Sequence, residues 1–180
     1  MRIVRWMLFS LVAALPLAGC LLTSGQFLIS VDLLDGSPVL VTNPGVVPLP
    51  VDLTTDKTYN DHKDKLKDIA DVALLGELTN SGSGAATIDF YMTRDATTYT
   101  TASQVLADPT VVKVWGTLTA APGETKHIDW DGSAGLFVGR QELLQEVQGD
   151  GKFTLYGIGT AGASATIRDG VLVLVVDAGV

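Results

Sequence analysis

The sequence predicts a mainly β chain: an antiparallel β-sandwich, immunoglobulin-like only in the loose sense, with seven or eight short strands and one or two short helices. Three observations lead there. Apolar and polar residues alternate in several short runs, the period of a half-buried strand. Clusters of Gly, Asn, Asp, Ser and Pro separate those runs at close intervals. Most connections are too short for the crossovers that parallel strands require, so pairing is antiparallel. Glycine, threonine and β-branched aliphatic residues are frequent, which favours strands further. The chain has 180 residues, 47% hydrophobic and 18% charged, enough for one sizeable core and unlike a disordered polymer.

The first strand is "QFLISVDL", Gln26–Leu33, with Phe27, Ile29, Val31 and Leu33 on one face. Asp35–Pro50 follows, carrying Pro38, Pro44, Pro48 and Pro50. Proline has no N–H to give a ladder, so this is an edge strand at best and more readily a loop. In "YNDHKDKLKDIADV", Tyr59–Val72, the spacing of Tyr59, His62, Leu66, Ile69 and Ala73 predicts a short amphipathic helix across a sheet edge. Asn60 would cap it, Asp61–Lys65 and Asp64–Lys67 would pair, and its charges would face solvent.

Ala70–Asn80 and Ala85–Thr93, joined by "NSGSG", predict a β-hairpin. A second pair runs from Thr110–Thr119 through "AAPGE" into Thr125–Asp131. "GRQELLQEVQ", Gly139–Gln148, predicts a helix with Leu143, Leu144 and Val147 inward, stopped by Gly149. Lys152–Gly159 is a strand. Ala165–Gly179 is the last, bulged or turned at Asp169–Gly170. Its segment Val171–Val176 is apolar on both faces, which predicts a central strand whose second face is covered by a helix or a partner. Six residues are too few to cross a bilayer.

The N-terminus is of another kind. Arg2 and Arg5 precede the apolar stretch "WMLFSLVAAL", Trp6–Leu15, and "LAGC", Leu17–Cys20, closes it with small residues. That order is a secretory signal. "LAGC" resembles the lipobox of bacterial lipoproteins. The resemblance implies that Leu17, Ala18 and Gly19 are read by a signal peptidase and that residues 1–19 are removed. Cys20 would take a diacylglyceryl group on sulfur, carry fatty chains such as palmitate, and become the new N-terminus. Leu21, where Asp would hold such a protein at the inner membrane, implies the outer membrane. Two other readings are weaker. A transmembrane helix over Trp6–Leu22 would be short and broken by Pro16. Plain secretion lacks a good A-x-A cleavage site. On the lipoprotein reading residues 20–26 are a lipidated tether, whose six residues after Cys20 reach at most about 20 Å. Residues 27–180 are then the sandwich domain.

The formal charge is −8, and losing Arg2 and Arg5 with the leader takes it to −10. Phosphate backbones repel such a chain, so nucleic acid is not an expected partner. General attraction to anionic lipid is equally unavailable, and attachment falls to the acyl chains.

Chemistry is sparse. In "HIDWD", His127, Asp129 and Asp131 would share one strand face, making them weak candidates for a metal site or an acid–base pair. A polar strand face ending in an Asp-Gly turn explains them as well, and no third strong ligand is fixed nearby. "DWDGS" lacks the remaining ligands of a calcium loop. One cysteine and two histidines supply neither a disulfide framework nor a structural zinc site. "NSGSG" lacks a phosphate-loop lysine. Ser133 lies in no nucleophile elbow that His62 or His127 could serve. Trp115, Trp130, Tyr91 and Tyr156 could build an aromatic binding surface or fill the core. The expectation is a non-enzymatic, membrane-anchored binding or structural module of the bacterial envelope, without cofactor. Its partner would be an envelope protein, or a second copy through a strand edge. A small-ligand carrier with a pocket between the sheets is the alternative, and a hydrolase or metal-dependent enzyme the third.

Overall fold

The computed structural model describes residues 24–94 and 99–179. Two antiparallel sheets face each other as a β-sandwich. The first holds β1 (Ser24–Asp32), β9 (Ser164–Gly179), β4 (Leu66–Asn80) and β7 (Thr125–Ile128) in that order, with β2 (Val39–Thr42) also paired to β9. The second holds β3 (Val47–Asp52), β8 (Lys152–Gly159), β5 (Ala86–Thr93) and β6 (Val112–Ala120) in that order. Ile29, Val41, Ile69, Leu78 and Leu174 from the first sheet meet Ile88, Phe90 and Leu118 from the second in a common core.

The final strand is central, as its two-sided apolar run predicts. β1 and β2 share one of its edges and β4 lines the other. Leu172, Leu174 and Val176 enter the core, while Val173 is buried on the opposite face. Asp169–Gly170 does not turn the chain. It sits across from a bulge between Leu75 and Glu77. Gly76 takes φ 150° there, and a Cβ on it would lie 2.8 Å from the Arg168 carbonyl. Asp169 answers with φ 51°, a left-handed conformation that aspartate tolerates.

The predicted helix over 59–72 is a correction. The helix α1 is Lys57–His62, followed by a 3-10 turn to Lys65, and Leu66 already begins β4. Leu66, Ile69 and Val72 are all buried although three apart, because the ladder slips at Leu66/Asp68 and again at Ile69/Asp71. Each bulge adds one residue between inward positions and turns a period of two into three. Two bulges in succession therefore imitate a helical stripe. The cap is Asp56, whose carboxylate accepts from the Tyr59 N–H at 2.8 Å, and not Asn60. Asp61 pairs with Lys57, not Lys65.

Both predicted hairpins are corrections as well. β4 and β5 belong to opposite sheets, and so do β6 and β7. β9 and β7 occupy the two edges of β4, while β8 and β6 occupy those of β5, which leaves neither strand free to pair with the other. Asn80 ties these crossings together. It is fully buried, donates to the carbonyls of Gly84 and Ala120 at 2.8 and 3.1 Å, and accepts from the Gly82 N–H.

The proline-rich stretch forms β2 and β3 where a loop was the readier expectation. β3 is an edge strand that pairs only with β8. Pro48 and Pro50 are two apart and exposed, so their missing N–H groups both fall on the open side. Ahead of β6 lies a helix absent from the sequence-based expectation, α2 (Ala102–Ala107). It opens with a capping box between Thr101 and Gln104. Ala102 and Val105 form a cluster with Tyr156 and Ile158 of β8, apart from the main core. After β7 come α3 (Trp130–Ala134) and α4 (Arg140–Gln148). The latter buries Leu143 and Val147 and ends at Gly149, as predicted.

Candidate functional site

A groove of about 310 Å3 opens where β7 stops beside β4. Glu77 and His127 are direct cross-strand partners, which places both side chains on one face of the sheet. The chain then leaves the ladder at Ile128. Asp129 caps α3 by accepting from the Gly132 N–H at 2.8 Å, and Trp130, half-buried, is the first helical residue. Asp169 comes from the left-handed position on β9, and Leu75 and Gly76 complete the lining.

The site exists because α3 takes over the edge that β7 leaves. The Leu74 N–H, unclaimed by a strand, donates to the buried Ser133 hydroxyl at 2.7 Å. One turn earlier in the ladder, the Arg140 guanidinium donates to the carbonyls of Ile69 and Ala70. These contacts satisfy backbone groups that a covered edge would otherwise leave unpaired.

Of the predicted trio, His127 and Asp129 line the groove. Asp131 does not: it lies in the first turn of α3, exposed. The one-face arrangement fails because the strand ends before Asp129. Among the described residues no three His, Cys, Asp or Glu side chains gather as a metal would require. The groove instead offers three carboxylates, one imidazole and one indole, a surface suited to hydrogen bonding and stacking with a polar or cationic group. Sequence reasoning missed Glu77 and Asp169. Only strand pairing brings them to His127, and the one local hint was the Asp-Gly step at 169–170.

The other sequence candidates sit apart. Ser133 is buried with its hydroxyl engaged by Leu74. His62 stacks on Phe27, ring centroids 3.7 Å apart, and its Nδ1 lies 2.9 Å from the Thr58 carbonyl. Trp115 and Tyr156 are buried, and Tyr91 packs against the cluster beneath α2. The Trp115 indole N–H has no partner among the described residues and meets Phe137 edge-on. The space left beside it between the sheets is about 10 Å3, lined by Phe90, Phe137 and Phe153 among other apolar side chains. That is room for a water molecule, not for a sugar or an acyl chain. A second groove of about 300 Å3 lies at the start of β8. Lys152 there donates to Asp52 at 2.9 Å. The Thr54 hydroxyl and then Lys152 hold the Asp52 carboxyl below its usual range. Leu17, Ala18, Gly19 and Cys20 lie outside the described residues. Among those described, no helix is long and apolar enough to cross a membrane.

No protein-family model and no curated protein matches the chain. Solved structures give distant likenesses. A recombinant latent aurone synthase, a polyphenol oxidase, is 13% identical over 81% of this chain and 27% of its own, with a TM-score of 0.43. Dimeric latent PorU from Porphyromonas gingivalis is 5% identical over 87% and 13%, with a TM-score of 0.32. A mud crab tombus-like virus structure is 13% identical over 87% and 81%, with a TM-score of 0.34. The chain thus spans 27% of the aurone synthase it matches. Likenesses this distant do not bear on activity.

Proposed function

We propose that the protein is a lipoprotein of the bacterial envelope, held at the outer membrane through acyl chains on Cys20, that acts as a non-enzymatic binding or structural module. The observation that carries this is the placement of "LAGC". Cys20 stands only four positions ahead of Ser24, where β1 begins. A leader, a small-residue box, a cysteine and then at once a folded sandwich is the order an anchored module needs. Two or three acyl chains hold a protein far more firmly than one, so the anchor suffices for a chain of this charge. The binding face on this reading is the Glu77–His127–Trp130 groove, and an envelope protein offering a cationic or hydrogen-bonding group is its partner.

Cys20→Ser tests the reading. The variant should stop incorporating labelled fatty acid and leave the detergent phase for the aqueous phase in phase separation. Unchanged partitioning would show that the polypeptide itself provides the attachment.

A further inference from the structure

We infer that β1 is the surface through which two copies of this chain pair: two β1 strands join antiparallel about a two-fold axis at Leu28 and merge the first sheets of both copies. This pairing does not depend on the anchor at Cys20. It also leaves the groove open, because the groove lies beside β7, at the opposite edge of the same sheet.

The other sheet edges are guarded. β3 carries Pro48 and Pro50 on its open side. β2 has only four residues and lies between Pro38 and Pro44. β7 is equally short, carries Lys126 and gives way to α3. β6 carries Lys113, and it is covered where Gly116 donates to the Leu136 carbonyl and Val138 to that of Val114. Short length, proline, lysine and cover are the means by which edges exclude further strands. β1 has none of them. "SGQFLISVD" holds no proline, lysine or arginine, and its nine residues pair with β9 without a register shift. α1 meets β1 where His62 stacks on Phe27, which packs against the core.

The Leu33 N–H donates to the Gly170 carbonyl at 2.8 Å, which fixes the phase of the ladder. Odd-numbered residues of β1 bond β9, so Gln26, Leu28, Ser30 and Asp32 turn their N–H and C=O groups to the open side. No β-bridge and no backbone hydrogen bond from another element reaches them among the described residues. Their side chains are exposed, that of Leu28 on a residue 59% exposed. An antiparallel strand completes such an edge, and β1 is its own complement. Leu28 is its middle residue, so the two-fold through Leu28 pairs the whole strand and offers about ten backbone hydrogen bonds. Gln26 then faces Ser30 of the second copy, Leu28 faces Leu28, and Asp32, the one charge of the strand, faces Ser24. The net charge of −8 works against contact between copies, and this register sets no like charges opposite each other. The interface is isologous and closes as a dimer. Its axis stands perpendicular to the sheet, so both N-termini lie at one height along it and two anchored copies can share one bilayer.

The experiment uses the full chain in detergent with micelles in excess over protein, Cys20 being acylated or, where its thiol is free, replaced by Ser. The paired Cα atoms at position 28 would stand about 5.5 Å apart, within disulfide reach. Under mild oxidation Leu28→Cys should form a disulfide dimer about tenfold faster than Leu40→Cys, a residue 53% exposed on β2. A mixture of Gln26→Cys and Ser30→Cys chains should crosslink faster than either variant by itself. Sedimentation should find a dimer in the parent and a monomer in Leu28→Lys, which sets two ammonium groups opposite each other. Equal crosslinking at 28 and 40, or a parent that stays monomeric at every concentration, overturns the second copy as the occupant and leaves the edge to a strand of another protein. A mixture no faster than its components overturns the antiparallel register.

Discussion

The two ends of the sandwich are built by different means. At the far end the chain crosses between sheets four times through the short loops 43–46, 81–85, 121–124 and 160–163, and one buried residue, Asn80, binds two of these crossings. At the near end, where Ser24, Leu66 and Gly179 meet, the chain spreads out into α1, the 3-10 turn and the last turn of α4. Contacts there are many and mostly exposed: Lys57–Asp61, Arg94–Glu146, Lys152–Asp52 and Gln148–Leu66. The difference teaches where this fold is brittle. Cohesion concentrated in one desolvated amide is lost in one step, while cohesion shared among solvated groups is lost by degrees.

The sharpest way to break this comparison is Asn80→Ala. Three hydrogen bonds vanish, and the Ala120 carbonyl and its neighbours lose a partner in a buried setting. The cost should be about 3 kcal/mol, at the upper end for unsatisfied buried groups. Urea unfolding should show a lower midpoint with little change in slope. A loss under about 1 kcal/mol, the worth of one ordinary hydrogen bond, would mean that the far end is not held at this point.

Tyr59→Phe sharpens the comparison from the other side. Tyr59 is a deeply buried peg of the near end, and its hydroxyl donates to the Val147 carbonyl at 2.9 Å, tying α1 to α4. Removing that single bond while keeping the ring should cost about 1–1.5 kcal/mol. Equal losses at Asn80 and Tyr59 in the same urea titrations would erase the distinction between the ends.

The same contrast explains what was legible in the sequence. β1, β8 and α4 were readable because each satisfies its apolar period within one uninterrupted element, and β9 because its run Val171–Val176 is apolar on both faces. The start of β4 was not, because bulges at 67–68 and 70–71 give Leu66, Ile69 and Val72 a helical spacing. At the far end, the glycine-rich turns were correctly seen as turns. A tight turn serves a hairpin and a change of sheet equally well, and only the pairing partners of β4 and β5 distinguish the two. α2 could have been found: Thr101 followed by Gln104 ahead of Val105 is a capping-box signature. Half of the groove was legible, as the His127–Asp129 spacing. Glu77 and Asp169 come from strands remote in sequence, and no local pattern points to them.

The smallest effect concerns acid at the near end. The Thr54 hydroxyl and Lys152 both favour the charged form of Asp52 and lower its folded pKa below the unfolded value of about 3.9. A depressed carboxylate contributes stability that is whole above the unfolded value and is lost as pH falls through the folded one. Lys152 mirrors it. Its folded pKa is raised by Asp52, so its share is whole below about 10.4 and disappears as pH rises past the folded value. Both side chains are largely solvated, 42% and 55% exposed, so the pair is screened and contributes little. Asp52→Asn should therefore flatten the acid limb of the stability curve only slightly, and added salt should shrink the difference between variant and parent. Asn80→Ala should lower the whole curve from pH 5 to 9 without changing its shape, since no titrating group is removed. A salt-insensitive loss at Asp52, as large as that at Asn80, would place a desolvated charge at the near end and end the contrast between solvated and buried cohesion.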